Sequence, residues 1–193
     1  RLKKMRGTAS RYLKKKYISE GYGEKEAIKM AKTDVLDLLP DIREDQMAAS
    51  ITSNNLMIFD DEGLRKVLSR YRGITINKNI YNNQDRVIEF GKKMVKHKWS
   101  PVGCESVKAT FDHEFGHQID HYLGVSDNQK IIDLYSNNDK QKIRDELSSY
   151  ASSQIREFVA EAWSEYCNNP EPREMATTVG KVVEKLWKAK QKK

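Results

Sequence analysis

The chain has 193 residues, of which 33% are charged and 38% hydrophobic, and carries a formal net charge of +7. That length suits one domain with a helical extension, and the apolar content makes a core that is real but not generous. No apolar run approaches the ~20 residues of a membrane span, and the basic start lacks the apolar segment of a secretory signal. The first residue is Arg1 rather than methionine, so the compartment is left unassigned.

The positive charge belongs to the ends. Residues 1 to 16 hold eight Lys or Arg and no acid, and residues 181 to 193 hold six Lys and one Glu; the +8 and +5 leave −6 in between. Basic ends can engage nucleic acid or an anionic membrane. A solvated helix face is the commoner fate of such runs, and no RNA-binding or recognition-helix signature accompanies these.

From the N-terminus, residues 9–19 and 24–38 read as helices separated by Gly21 to Gly23, the second ending at Pro40. Residues 41–55 form a polar connection, and Leu56 to Phe59 read as a short strand. Asp60, Asp61 and Glu62 then open a helix to about Tyr71, with acids at the favoured end. Ile74 to Ile80 alternate apolar and polar and read as a strand. A helix over 84–97 and a turn at Ser100 to Gly103 lead to the segment Ala109 to Tyr122. Further helices are expected over 127–136, 139–148, 153–168 and 173–190, with Pro170 to Pro172 separating the last two.

Residues 113 to 117 read His-Glu-Phe-Gly-His. Four residues of helix advance slightly more than one turn, so His113 and His117 project from one face and can share a zinc ion. Glu114 can then act as general base toward a metal-activated water. Phe111, Phe115, Ile119 and Tyr122 recur at helical spacing, so the side opposite the histidines is expected to face a core.

A catalytic zinc wants three protein ligands and an open position. His121 lies about 6 Å further along the same axis and cannot converge on the ion that His113 and His117 share. A third histidine six residues after His117 is absent, because that position is Leu123. The segment Arg156 to Tyr166 is the better source. Glu157, Glu161 and Glu165 fall four apart among apolar residues. Glu157 is read as the third ligand and Glu161 as acceptor for the other ring nitrogen of a ligand histidine, His113; the sequence by itself also permits the two glutamates to be exchanged. Asp120 suits either support of a ligand or capping of a neighbouring helix.

These two stretches, HisGluPheGlyHis with GlnIleAsp and Tyr122 after it, and GluPheValAlaGluAlaTrp from Glu157, resemble the glutamate-ligand zinc metallopeptidases (gluzincins). Within them the likeness is greatest to the anthrax lethal factor catalytic domain and Pro-Pro endopeptidase family, over residues 105 to 187. The resemblance implies an active-site tyrosine seven residues before the ligand glutamate, which here is Tyr150 within LeuSerSerTyrAla. In that role its phenol would stabilise the oxyanion. It also implies an α+β, mostly helical, zincin-like metallopeptidase fold with a small sheet and an active-site HExxH helix. The strand at Ile74 to Ile80 becomes a candidate for pairing with extended substrate.

The expected arrangement is a basic helical extension over 1–50 and a zincin-like metallopeptidase domain over 51–193. The metal is Zn2+, held by His113, His117 and Glu157, with Glu114 and Tyr150 catalytic and Glu161 and Asp120 behind them. The partner is a protein or peptide substrate. The alternative is a non-catalytic, zinc-containing assembly protein whose basic ends bind nucleic acid or another polyanion. Cys104 and Cys167 flank the two site helices, so a disulfide between them is geometrically conceivable; free buried thiols are the preferred reading, and with no CxxC pair neither is spaced like a zinc ligand.

Overall fold

The computed structural model describes residues 2–38, 48–51, 60–76 and 78–192. They are mostly helical. The elements are α1 (Leu2–Ser19), α2 (Glu24–Leu38), β1 (Ala48–Ile51), α3 (Glu62–Leu68), β2 (Gly73–Ile76), α4 (Gln84–Lys96), α5 (Val107–Leu123), α6 (Gln129–Ser136), α7 (Lys140–Glu146), α8 (Ile155–Asn168) and α9 (Glu174–Gln191). A short 3-10 turn follows α3 at Ser69–Tyr71, and Lys78–Tyr81 make one helical turn after β2. The strand expected at Leu56 to Phe59, and Pro40 at the end of α2, lie outside the described residues.

The expectation of an α+β zincin-like fold is corrected by this architecture. Among the described residues the strands are the four-residue β1 and β2, which form a two-stranded sheet. Among the described residues, only 74–76 of the expected strand over 74–80 are extended, because the chain turns helical at Lys78 on its way to the Asn83 cap of α4. The residues able to bind a metal are split across two separate helices, α5 and α8, and no single HExxH helix contains the site.

The chain divides into two compact units, one of residues 1–46 and 51–75 and the other of residues 47–50 and 76–193. In the first, α1, α2 and α3 bury Met5, Ala9, Leu13, Ala31, Val35, Leu64 and Leu68 together. Asp61 caps α3 by accepting the Leu64 N–H at 2.8 Å, and it also accepts from Tyr12 and Lys16, both at 2.7 Å. Three donors on one carboxylate thus fasten the start of α3 to α1.

In the second unit, α8 and α9 carry most of the apolar centre. Phe158, Val159 and Ala162 pack with Met175, Ala176, Val179 and Val183, with Ile131 and Ile143 from α6 and α7, and with Leu147 just after α7. Helix α5 begins at Ser106, whose side chain accepts the Ala109 N–H. It ends at Gly124, whose φ of 67° is the left-handed conformation that closes a helix with little strain only for glycine.

The buried side of α5 is not the aromatic stripe. Phe111, Phe115 and Tyr122 are 49%, 44% and 54% exposed, whereas Ala109, Gly116, Ile119 and Asp120 are buried. The small residues decide this. A β-carbon at Gly116 would stand 2.9 Å from the Ala160 Cα, so the backbones of α5 and α8 come nearly into contact there.

Candidate metal centre

Helices α5 and α8 run antiparallel along this contact, with Ala109 against Ser164, Gly116 against Ala160 and His117 against Glu157. Ser164 Oγ donates to the Ala109 carbonyl at 2.9 Å, Asn168 Nδ2 donates to Asp112 Oδ2 at 2.7 Å, and Lys108 Nζ reaches the same Asp112 oxygen at 2.5 Å. Beyond Gly116 and Ala160, the same crossing sets His113 and His117 opposite Glu157 and Glu161.

His113 Nε2 lies 3.3 Å and His117 Nε2 3.4 Å from the same oxygen, Glu157 Oε2. One ligand atom from each of the three residues falls within 4.8 Å of the others. The two imidazoles are nearly perpendicular, at 89° with ring centroids 4.9 Å apart, so their nitrogens approach one point from different directions. Glu157 Oε2 is buried and has no hydrogen-bond partner among the described residues. A buried carboxylate oxygen facing two ring nitrogens is costly unless something cationic joins them. Two imidazoles and a carboxylate match the donor set of a divalent metal site, and the residues present fit such an ion.

The electrostatics point the same way. Burial alone would push the His113 pKa down, but the carboxylates of Glu157 and Glu161 close beside its ring nitrogens more than reverse this and raise it to about 10. Burial would likewise raise Glu157, yet the two histidines hold its carboxyl well below the usual carboxylate range. The place between these groups therefore favours positive charge.

Glu161 stands behind His113, with Oε1 2.7 Å from Nδ1. That is the distance of a charge-assisted hydrogen bond, although the ring N–H points off the line between the atoms. The other Glu161 oxygen accepts from Ser148 Oγ at 2.7 Å. The geometry thus separates the two glutamates: Glu157 faces both Nε2 atoms, and Glu161 faces Nδ1. Glu165, the third of the series, is fully buried in a bidentate pair with Arg173, at 2.6 Å and 2.9 Å. All three glutamates are inside, and none belongs to a solvated face.

Glu114, adjacent to His113, is 7% exposed. Tyr150 lies in the loop between α7 and α8 and stacks on His113, with centroids 5.8 Å apart and planes at 22°. Burial, reinforced by the charge of Glu157, raises its phenol above the ordinary tyrosine value, so it remains a proton donor at neutral pH. Trp99 also stacks on this loop tyrosine, at 5.6 Å and 16°. Asp120 is not brought to the ligands. Its carboxylate accepts from the Ser126 N–H at 2.6 Å and from Ser126 Oγ at 3.0 Å, which ties down the turn after α5. His121 is exposed, and Cys104 and Cys167 are free thiols.

Three participants escape sequence reading. Gly116 sets the helix spacing, Ser148 holds Glu161, and Tyr81 packs its hydroxyl into the side of α5 near Thr110 and Glu114. The serine pair before Tyr150 and the small residues at 116 and 160 were the available signals.

Comparisons with protein-family models, with curated proteins and with solved structures find no match to the chain. The chain therefore presents, on its own geometry, a two-histidine, one-glutamate cluster consistent with binding a divalent metal ion. No helix among the described residues is long and apolar enough to cross a membrane.

Proposed function

We propose that the chain is a zinc-dependent endopeptidase that hydrolyses peptide bonds of a protein or peptide substrate. The observation that carries this reading is the convergence of His113 Nε2, His117 Nε2 and Glu157 Oε2 on one point. Glu114 beside the first ligand and Tyr150 stacked on it add the groups that hydrolysis needs. A structural zinc site usually closes with four protein ligands, whereas a catalytic one uses three and leaves room for water.

Zinc held by His113, His117 and Glu157 would supply Lewis-acid polarisation of the scissile carbonyl and of a water. Glu114 takes a proton from the attacking water and passes it to the leaving amine. The Tyr150 phenol donates to the carbonyl oxygen as negative charge grows there. Glu161 holds Nδ1 of His113 so that Nε2 is turned to the metal. Asp120 supports the end of α5 through Ser126. The catalytic groups all come from the region 51–193, and the helices of residues 1–50 share their core with α3. The resemblance of both motif stretches to the glutamate-ligand metallopeptidases favours the same chemistry.

A glutamate next to the ligand also weighs against a purely structural zinc, which has no use for a base. The deciding experiment is metal analysis of the purified chain followed by incubation with a peptide library, with and without chelator. Chelator-sensitive cleavage is expected. A zinc-loaded chain that leaves every peptide intact while binding nucleic acid specifically would instead establish the assembly role.

A further inference from the structure

Helix α8 and the tyrosine loop meet at one buried hydroxyl. Ser148 is 0% exposed. Its Oγ donates to Glu161 Oε2 at 2.7 Å and accepts the Ala151 N–H at 3.0 Å. The opposite Glu161 oxygen lies 2.7 Å from His113 Nδ1. A carboxylate on a flexible side chain has several ways to face an imidazole; fixing one oxygen removes most of them.

Ser148 is itself firmly placed. On one side, Arg173 Nη2 donates to the Leu147 carbonyl at 2.7 Å, and its guanidinium is locked on the buried Glu165 of α8. On the other, the Ser149 N–H donates to the Lys98 carbonyl at 2.7 Å and the Tyr150 N–H to the Trp99 carbonyl at 3.3 Å. The hydroxyl therefore joins two anchored elements: α8, through Glu161, and the loop that presents Tyr150.

We propose that Ser148 is a positioning residue of the metal site, which orients Glu161 and through it the ring of His113, and which sets the Tyr150 loop by the same hydroxyl. This rests on the reading of His113, His117 and Glu157 as zinc ligands. A serine that merely capped the Ala151 N–H would affect folding stability and nothing at the metal, and that difference makes the role testable.

The test uses the full chain with zinc and cobalt as probes. Zinc affinity is measured by competition with a chromophoric chelator, and the visible absorption of the cobalt-loaded chain reports ligand geometry. Ser148→Ala is expected to weaken zinc binding roughly 10–100-fold and to shift the cobalt bands, as loss of a group behind a ligand histidine does. Ser148→Cys, nearly the same volume but a poor donor, is expected to weaken binding in the same direction and decides the matter if the alanine variant does not fold. Wild-type zinc affinity and an unchanged cobalt spectrum in the folded variant would overturn the role, whatever its melting temperature. A wild-type chain that binds no zinc would sink the metal reading itself; one that binds zinc while Ser148 proves dispensable sinks only this inference.

Discussion

Gly116 and Ala160 touch where α5 and α8 cross, with 2.9 Å between the position of a β-carbon on Gly116 and the Ala160 Cα. The neighbour is backbone, which cannot swing aside. In an ordinary helix, Gly→Ala gains up to about 1 kcal/mol of helix propensity. Here overpacking of about 1–3 kcal/mol opposes that gain, so Gly116→Ala should be destabilising on balance. The separation of α5 from α8 should also carry Glu157 away from the histidines. Thermal unfolding and zinc titration of the variant check both effects; unchanged zinc affinity would show that the crossing does not set the ligand distances.

Glu114→Gln tests the proposed base. The amide is almost isosteric and leaves His113, His117 and Glu157 in place, so zinc binding should persist. Cleavage should fall by roughly 10²–10⁴-fold, the usual worth of a positioned proton acceptor. Zinc content and turnover measured on the same preparation decide it. Substantial proteolysis by the metal-loaded variant removes Glu114 from the mechanism.

Glu157 and Glu161 should separate in their effects on metal binding. Glu157→Ala removes a donor atom and should abolish tight zinc binding. Glu161→Gln leaves all three donors and loses only the support behind His113, so affinity should fall roughly 10–100-fold. Isothermal titration of both variants provides the comparison. If Glu161→Gln proves the more damaging of the two, their assignments exchange.

Tyr150→Phe removes the phenol and keeps the ring that stacks on both Trp99 and His113. Folding and zinc affinity should be little changed, while kcat should drop by about 10²–10³-fold with KM nearly constant, the pattern of an interaction made in the transition state. A rise in KM at unchanged kcat would make Tyr150 a substrate-binding residue instead.

The contrast between what could and could not be read in advance has a physical basis. His113, Glu114 and His117 are local: helical geometry alone puts the two imidazoles on one face. The need for a third ligand from another helix follows from the same geometry, because His121 is too far along the axis. The burial of α5 was misjudged for a related reason. Apolar periodicity weighs large side chains, so it selects Phe111, Phe115, Ile119 and Tyr122, of which Ile119 is buried and the three aromatic residues are exposed. It is blind to Ala109 and Gly116, whose smallness is what lets α8 approach. Asp120 and Ser148 illustrate a second limit. Their partners, Ser126 and Glu161, are fixed by how loops close around the helices, and single-chain spacing does not encode that. The strand expected over 74–80 failed where alternation continued past the point at which the backbone turns helical.

The first unit offers a prediction independent of any metal. Lys16, outweighing the cost of partial burial and helped by the Leu64 N–H and Tyr12, holds the Asp61 carboxyl down at about 2, against an ordinary 3.8. A carboxylate depressed on folding stabilises the folded state fully above its unfolded pKa, and that contribution is lost as pH falls through the folded value. The relevant window is therefore about pH 4 down to 2. Lys16 is partly exposed, so screening reduces the contribution to on the order of 1–2 kcal/mol. Asparagine caps a helix as well as aspartate does, so Asp61→Asn isolates the charge. Urea unfolding of the wild type and Asp61→Asn should show the wild type more stable at pH 6, with the difference closing near pH 2. A gap that stays constant across this range would mean that the Asp61 charge contributes nothing to holding α3 on α1.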